Sequence, residues 1–206
     1  MIRKIHFFRR HCAPITLAVF AGWFALIFAP ASRAQESVVQ IDPARTTIDF
    51  SLSGNFHTVH GKFTLKSSTI RFDPSTGKID GAIVVDATSG ESGNGSRDGR
   101  MHREILESVK FPEIVFTPSH VTGAVAAEGP SKVEVSGRFR LHGQDHDVTL
   151  PADIKAAGGN LQITAHMEIP YVQWGMKNPS NFLLRVSDKV EIEIQATGRV
   201  QPSGTP

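Results

Sequence analysis

The chain has 206 residues, 22 lysines and arginines against 20 acidic residues, and a single cysteine. So even a charge balance provides no basic footprint for a nucleic-acid partner. One cysteine excludes an intramolecular disulfide, and the length suits one domain stabilised by its own core.

Residues 1–34 read as a signal peptide, to be cleaved. Arg3, Lys4, Arg9 and Arg10 form a positive n-region, Ile15 to Phe28 an apolar stretch, and Ser32 and Ala34 the small residues before cleavage after Ala34. Ala31 is the second choice of cleavage site. The alternative is an uncleaved anchor helix, for which the apolar run is short. Arg9 and Arg10 lack the surroundings of a twin-arginine signal, so the expected route is the ordinary secretory one, into the periplasm. Cleavage removes five cations (Arg3, Lys4, Arg9, Arg10, Arg33) and no acid, leaving 17 against 20, a net charge of −3. It also removes Cys12, so the mature chain has neither disulfides nor thiolate chemistry, as suits an oxidising compartment.

Past the signal, strand periodicity dominates. Ile48, Phe50 and Leu52 alternate with polar residues from Thr46 to Ser53, which predicts a half-buried strand. Phe63 and Leu65 share one face, as do Ile70 and Phe72. Asp73 to Gly77 is turn chemistry, and Ile79 to Asp86 is the next strand, with side-chain room short at Gly81. Thr88 to Ser96, rich in Gly, Ser and Asn, reads as a loop.

The stretch from Arg97 to Phe116 holds the one convincing helix. Met101, Ile105 and Val109 recur four apart on one face and Leu106 widens the stripe. Ser96 or Asp98 is placed to cap the first turn, and Pro112 stops the helix. Such a helix in an all-β chain has to cover something, and an open barrel end is the candidate.

Strand alternation resumes at Glu113. Gly123 to Pro130 reads as a loop. Val133, Val135, Gly137, Phe139 and Leu141 give the cleanest period of two, followed by a turn at His142 to Asp145 and a strand through His146, Val148 and Leu150. Gly158-Gly159-Asn160 signals a hairpin. Leu161 to Met167 and Val190 to Ala196 supply the last strands. The domain spans 35–200, and 201–206 reads as a loose tail. About eight or nine one-sided strands require a shared interior. A sandwich and a closed barrel both satisfy the pattern. The barrel leaves no free edges, and eight strands leave room for one ligand.

Four blocks together resemble the YceI-like family of bacterial periplasmic proteins, over roughly Val39 to Gly198. They are Ile41 to Phe63, Phe72-Asp73-Pro74, the helix block with Arg97-Asp98 and Phe111 to Phe116, and the hairpin Val135 to Pro151 with Phe139 in a position usually Leu. The resemblance implies an all-β fold, an extended antiparallel lipocalin-like β-barrel of about eight strands with one covering α-helix. It also implies an elongated apolar cavity for a polyisoprenoid or quinone-like lipid. The segment Trp174 to Ser180 departs from the commoner pattern and suggests a distinct subgroup.

The inward faces are chemically suited to such a ligand. Phe50, Phe63, Phe72, Ile83, Val85, Ile114, Phe116, Phe139, Leu150 and Ile163 carry no hydrogen-bonding side-chain groups. Each buried methylene contributes about 0.8 kcal/mol, so one five-carbon unit contributes roughly 3–4 kcal/mol before ordering costs. The competing reading is that these residues simply fill the barrel and that its loops serve an envelope stress or interaction role. A third is a small metal binder using His57 and His60, or His142 and His146, although neither spacing is a zinc motif. Asp98, His102 and Glu104 lie close together but no nucleophile elbow accompanies them. Arg97 and Asp98 read better as a loop anchor, and Tyr171 and Trp174 as staples of the final crossover or as lining of a mouth. The expected protein is a non-enzymatic carrier without cofactor or resident metal, its partner a polyisoprenoid or other long-chain lipid. Transient membrane contact is compatible with that role, and the oligomeric state is open, a dimer included.

Overall fold

The period-two stretches become nine antiparallel strands in the computed structural model, which describes residues 36–202. They are β1 (Ser37–Ile41), β2 (Thr47–Leu52), β3 (Val59–Phe72), β4 (Ile79–Glu91), β5 (Glu113–Thr122), β6 (Gly129–Leu141), β7 (Gln144–Ala157), β8 (Asn160–Ile169) and β9 (Val190–Pro202). Residues 1–35, which include the expected signal peptide, and residues 203–206 lie outside the described residues. Each of β2 to β9 pairs with the next, and β2 also pairs with β9, so eight strands close into a barrel. At about 3.3 Å per residue the fourteen residues of β3 extend roughly 45 Å.

β1 is an element the sequence reading did not assign. It pairs with β3 at Phe72 to Ile70 and with β9 at Gly198 to Pro202, continuing the lane that β2 occupies further along. A single 3-10 turn, Pro43–Arg45, joins the two, with the Asp42 carboxylate accepting from the Ala44 amide. The same pairing draws Gln201 and Pro202 into β9, so the tail expected to be loose from 201 is strand through 202.

Two further differences have a common cause. The faces at Phe63/Leu65 and at Ile70/Phe72 belong to one strand. A register shift between Leu65 and Ser67 switches the inward side from odd to even positions. In β5 a shift between Pro118 and His120 moves the inward side from Phe116 and Pro118 to Val121. A bulge inserts one residue and reverses the parity, which looks like an ending when the pattern is read linearly. β4 likewise runs to Glu91, into the stretch expected to be loop.

The helix is shorter than its apolar spacing predicts. Asn94, and neither Ser96 nor Asp98, caps it by accepting from the Arg97 amide. Helix α1 (Gly95–Arg100) passes into a π turn, Met101–Ile105, closed by the Leu106 amide on the Met101 carbonyl. Glu107 then takes φ 46° and reverses the chain. Met101, Ile105 and Leu106 pack against the main apolar cluster, but Val109 lies past the reversal and is 98% exposed.

Several phenylalanines rest against glycine backbone. A Cβ at Gly61 would overlap the Phe50 ring and the Glu91 carbonyl oxygen. One at Gly90 would meet Phe63, and one at Gly137 would meet Phe116. The rings are therefore drawn onto the wall where no side chain opposes them. Gly81 is similarly tight, against the Thr69 carbonyl. Gly158 and Gly159, both at positive φ, make the two-residue hairpin between β7 and β8.

Gly61→Ala is expected to cost about 1–3 kcal/mol through overpacking against Phe50. The measurement is a lowered urea midpoint with the far-ultraviolet strand signal of the native state retained.

Candidate functional site

Closing the barrel encloses a continuous cavity of about 1190 Å³, lined by every strand and by the helix. All ten residues singled out above border it: Phe50, Phe63, Phe72, Ile83, Val85, Ile114, Phe116, Phe139, Leu150 and Ile163. Among the described residues no large side chain falls below 2% exposure, and the least exposed large side chain of the core, Leu65, retains 3%. A solid core would leave its central side chains fully enclosed. Here the apolar residues form the wall of a hollow interior.

Among the lining residues beyond those ten, two groups are instructive. Val39, Ile41, Ile192, Ile194 and Ala196 come from β1 and β9. For β9 the alternation was visible and would have sufficed. Met101, Ile105, Leu106, Tyr171 and Met176 come from the helix and from the irregular crossover between β8 and β9. The crossover has no periodicity, so nothing local marks Met176 as inward, whereas Tyr171 reads from the sequence as a staple or as lining of a mouth.

Polar lining concentrates at the helix end of the bore, where Ser92, Asn94, Ser96, Arg97 and Arg100 border it. Asn94, Ser96 and Arg100 are themselves exposed, so the cavity reaches the surface there, as it does at the opposite end beside the exposed Pro74, Ala127 and Gly159. At the helix end it is also bordered by Leu52 and Val59, at the facing ends of β2 and β3, and by Leu184 and Val186, from the crossover between β8 and β9.

Arg97 and Asp98 act on one residue. Arg97 donates from Nε to the Ser92 hydroxyl at 2.7 Å and from Nη2 to the Ser92 carbonyl at 2.9 Å. Asp98 accepts from the Ser92 amide at 3.0 Å and from its hydroxyl. The hydroxyl first, then the amide and the Arg97 charge, hold the Asp98 carboxyl below its ordinary value of 3.8. The pair thus ties the end of β4 to the first turn of the helix.

The histidines disperse. His142, at φ 52°, donates from Nε2 to Glu107 at 2.6 Å and packs on the Phe111 ring. His146 stacks on Trp174 with ring centres 3.9 Å apart. His60 shares a hydrogen bond with Ser51, and His57 is exposed. Neither pair converges on a common point, and no group of three potential ligands assembles among the described residues. His102 donates from Nε2 to the Gly90 carbonyl, so its Nδ1 accepts from Ser108. Asp98 is turned to Ser92, so no acid stands behind that imidazole.

Tyr171 serves both proposed purposes. Its ring borders the cavity while its hydroxyl donates to the Ser187 carbonyl at 2.7 Å, stapling the crossover. Burial, aided by the Asp188 charge, pushes its pKa up to about 12. Trp174 packs outside the lining, against Phe139 and His146.

Comparison with known proteins agrees with this architecture. The family model described as "YceI-like domain" matches residues 39–198. A UPF0312 protein of Pseudomonas savastanoi is 30% identical over 146 residues, 68% of this chain and 71% of its own. One from Vibrio vulnificus is 28% identical over 152 residues, 68% and 75% of the two chains. Among solved structures, Burkholderia cenocepacia BcnA superposes with a TM-score of 0.63 at 16% identity, covering 76% of this chain and 98% of that one. A polyisoprenoid binding domain from Saccharophagus degradans, implicated in plant cell wall breakdown, gives 0.62 at 16% identity, covering 79% and 98%. At such identities the likeness is one of fold.

Because the Asp98 carboxyl sits below its ordinary value, its contribution is complete above the ordinary carboxylate range and is lost as pH falls through the depressed value. Asp98→Asn is expected to speed hydrogen exchange at the Ser92 amide and in the helix at neutral pH. Acidifying the parent protein below the depressed Asp98 value should erase the difference. Tyr171→Phe, which deletes one hydrogen bond, is expected to cost about 0.5–1.5 kcal/mol in urea unfolding.

Proposed function

The chain belongs to the YceI-like domain family, and on that premise we propose that it is an exported carrier for a long apolar molecule. The ligand is a polyisoprenoid or quinone-like lipid, held lengthwise in the barrel without covalent chemistry. The observation that carries the reading is the unbroken apolar bore of about 1190 Å³ with polar side chains gathered at one end. A hydrocarbon tail fits the bore, and a more polar head group fits the end near Arg97 and Arg100. The name of the Saccharophagus degradans domain, a polyisoprenoid binding domain, supports the ligand class. Residues 1–34 support delivery to the periplasm, and among the described residues no helix is long and apolar enough to cross a membrane.

A filled barrel acting through its loops is the competing role, and the hollow interior weighs against it. Phe50, Phe63, Phe116 and Phe139, with the aliphatic residues between them, are the proposed contacts for the tail. Shape, apolar surface and exclusion of water suffice for such binding.

Native mass spectrometry of protein purified from its own host is expected to show a co-purified lipid that organic extraction releases. An empty barrel recovered under the same conditions overturns the carrier reading. Extraction should lower the thermal midpoint, since a ligand present at a hundred times its Kd stabilises the fold by about 2.7 kcal/mol. Leu150→Trp, which projects bulk into the bore, is expected to reduce the bound lipid while the strand spectrum persists.

A further inference from the structure

The exposed apolar side chains are not scattered. Among the described residues the large ones are Phe56, Val109, Phe182 and Leu183, at 73%, 98%, 94% and 72% exposure. Phe56 lies between β2 and β3, Val109 between the helix and β5, and Phe182 and Leu183 between β8 and β9. In an antiparallel barrel those three connections share one end, the end where the helix lies and one mouth of the cavity reaches the surface.

The two loops bearing phenylalanine are held together. The Asn55 amide donates to the Arg185 carbonyl at 2.9 Å, the Arg185 amide to the Asn55 side chain at 3.1 Å, and Asn55 Nδ2 to the Leu183 carbonyl at 3.2 Å. A bridge between Gly54 and Val186 completes the link. Phe182 and Leu183 are exposed, while Leu184 and Val186 of the same loop border the cavity.

Charge divides along the same line. The four connections at this end (53–58, 92–112, 142–143 and 170–189) hold seven lysines and arginines against four acidic residues, a net +3. The rest of the chain after Ala34 holds ten against sixteen, a net −6. Between Leu52 and Gly61, and between Pro170 and Ser187, there is no acidic residue. Lys177 and Arg185 make no ion pair among the described residues.

We propose that this end of the barrel docks on an anionic phospholipid bilayer, with Phe56, Phe182 and Leu183 entering the interfacial layer and Lys177 and Arg185 meeting the head groups. Projecting apolar tips among cations suit a soft, negatively charged surface. A second copy would bring two net-positive faces together. The helix-end mouth of the bore would then face the layer in which a long-chain lipid is dissolved. Docking goes beyond the carrier reading and does not require it.

The test is flotation of the purified protein, exported from its full-length gene, with phosphatidylcholine vesicles made with and without phosphatidylglycerol. The parent protein is expected to float with the anionic vesicles and to be released by raised salt. Phe182→Ser combined with Leu183→Ser should lower the bound fraction about tenfold. Lys177→Glu combined with Arg185→Glu should remove the preference for anionic vesicles. Lys132→Glu, away from this face, should leave binding unchanged. Docking is overturned if the parent does not float, or if both double variants float as it does. It is equally overturned if light scattering shows that these substitutions dissociate a dimer without altering flotation. Lipid content of the same preparation separates the two ideas: an empty barrel that floats sinks only the carrier reading, and a loaded one that does not float sinks only docking.

Discussion

The structure depends on a wall that closes without a filled centre. Eight lanes of antiparallel hydrogen bonds leave no free edge, so backbone groups are satisfied all the way round whatever occupies the bore. The lane shared by β1 and β2 is the seam, since each pairs with β3 on one side and β9 on the other. Apolar burial follows the wall in two clusters, one around Ile48, Phe50 and Leu65 and one around Val121, Val133 and Ala152. Outward positions carry exposed ion pairs such as Lys62–Glu91 and Lys132–Asp153, which keep the outer face wet and contribute little to stability.

A hollow barrel rich in phenylalanine needs somewhere to put the rings. Glycine backbone at 61, 90 and 137 supplies the seats, and the apolar surface stays at the wall. The end with the helix is held by directional contacts. Arg97 and Asp98 grip Ser92, His142 grips Glu107, and Tyr171 reaches Ser187. The His142–Glu107 contact joins the two non-glycine residues of positive φ among those described, so the chain reversal after the helix is tied to the turn between β6 and β7. A polar frame around an apolar opening keeps its shape without burying apolar surface across the gap.

Much of the fold was legible because alternation is a local signal that survives wherever one strand face is wetted. Val133 to Leu141 shows it without interruption. Legibility failed where the phase changed. The bulge at Leu65/Ser67 split one strand into two apparent ones, and the short β1 offered too few repeats to register. Val109 continues the helical stripe on paper, yet Glu107 turns the chain away before that residue can join it. Met176 borders the cavity from a segment with no period at all.

The order of residues along the chain determined that the wall would be strands, that one face would be apolar and that a helix would cover an end. Each follows from which side chains neighbour one another within a few positions. Only the tertiary structure decided that the barrel is hollow, because that turns on whether inward side chains from opposite walls meet across it, which no local pattern records. It also decided that Phe56, Val109, Phe182 and Leu183 share an end with one opening and a net positive charge. Those residues are separated by up to 127 positions, and strand pairing brings their connections to one end.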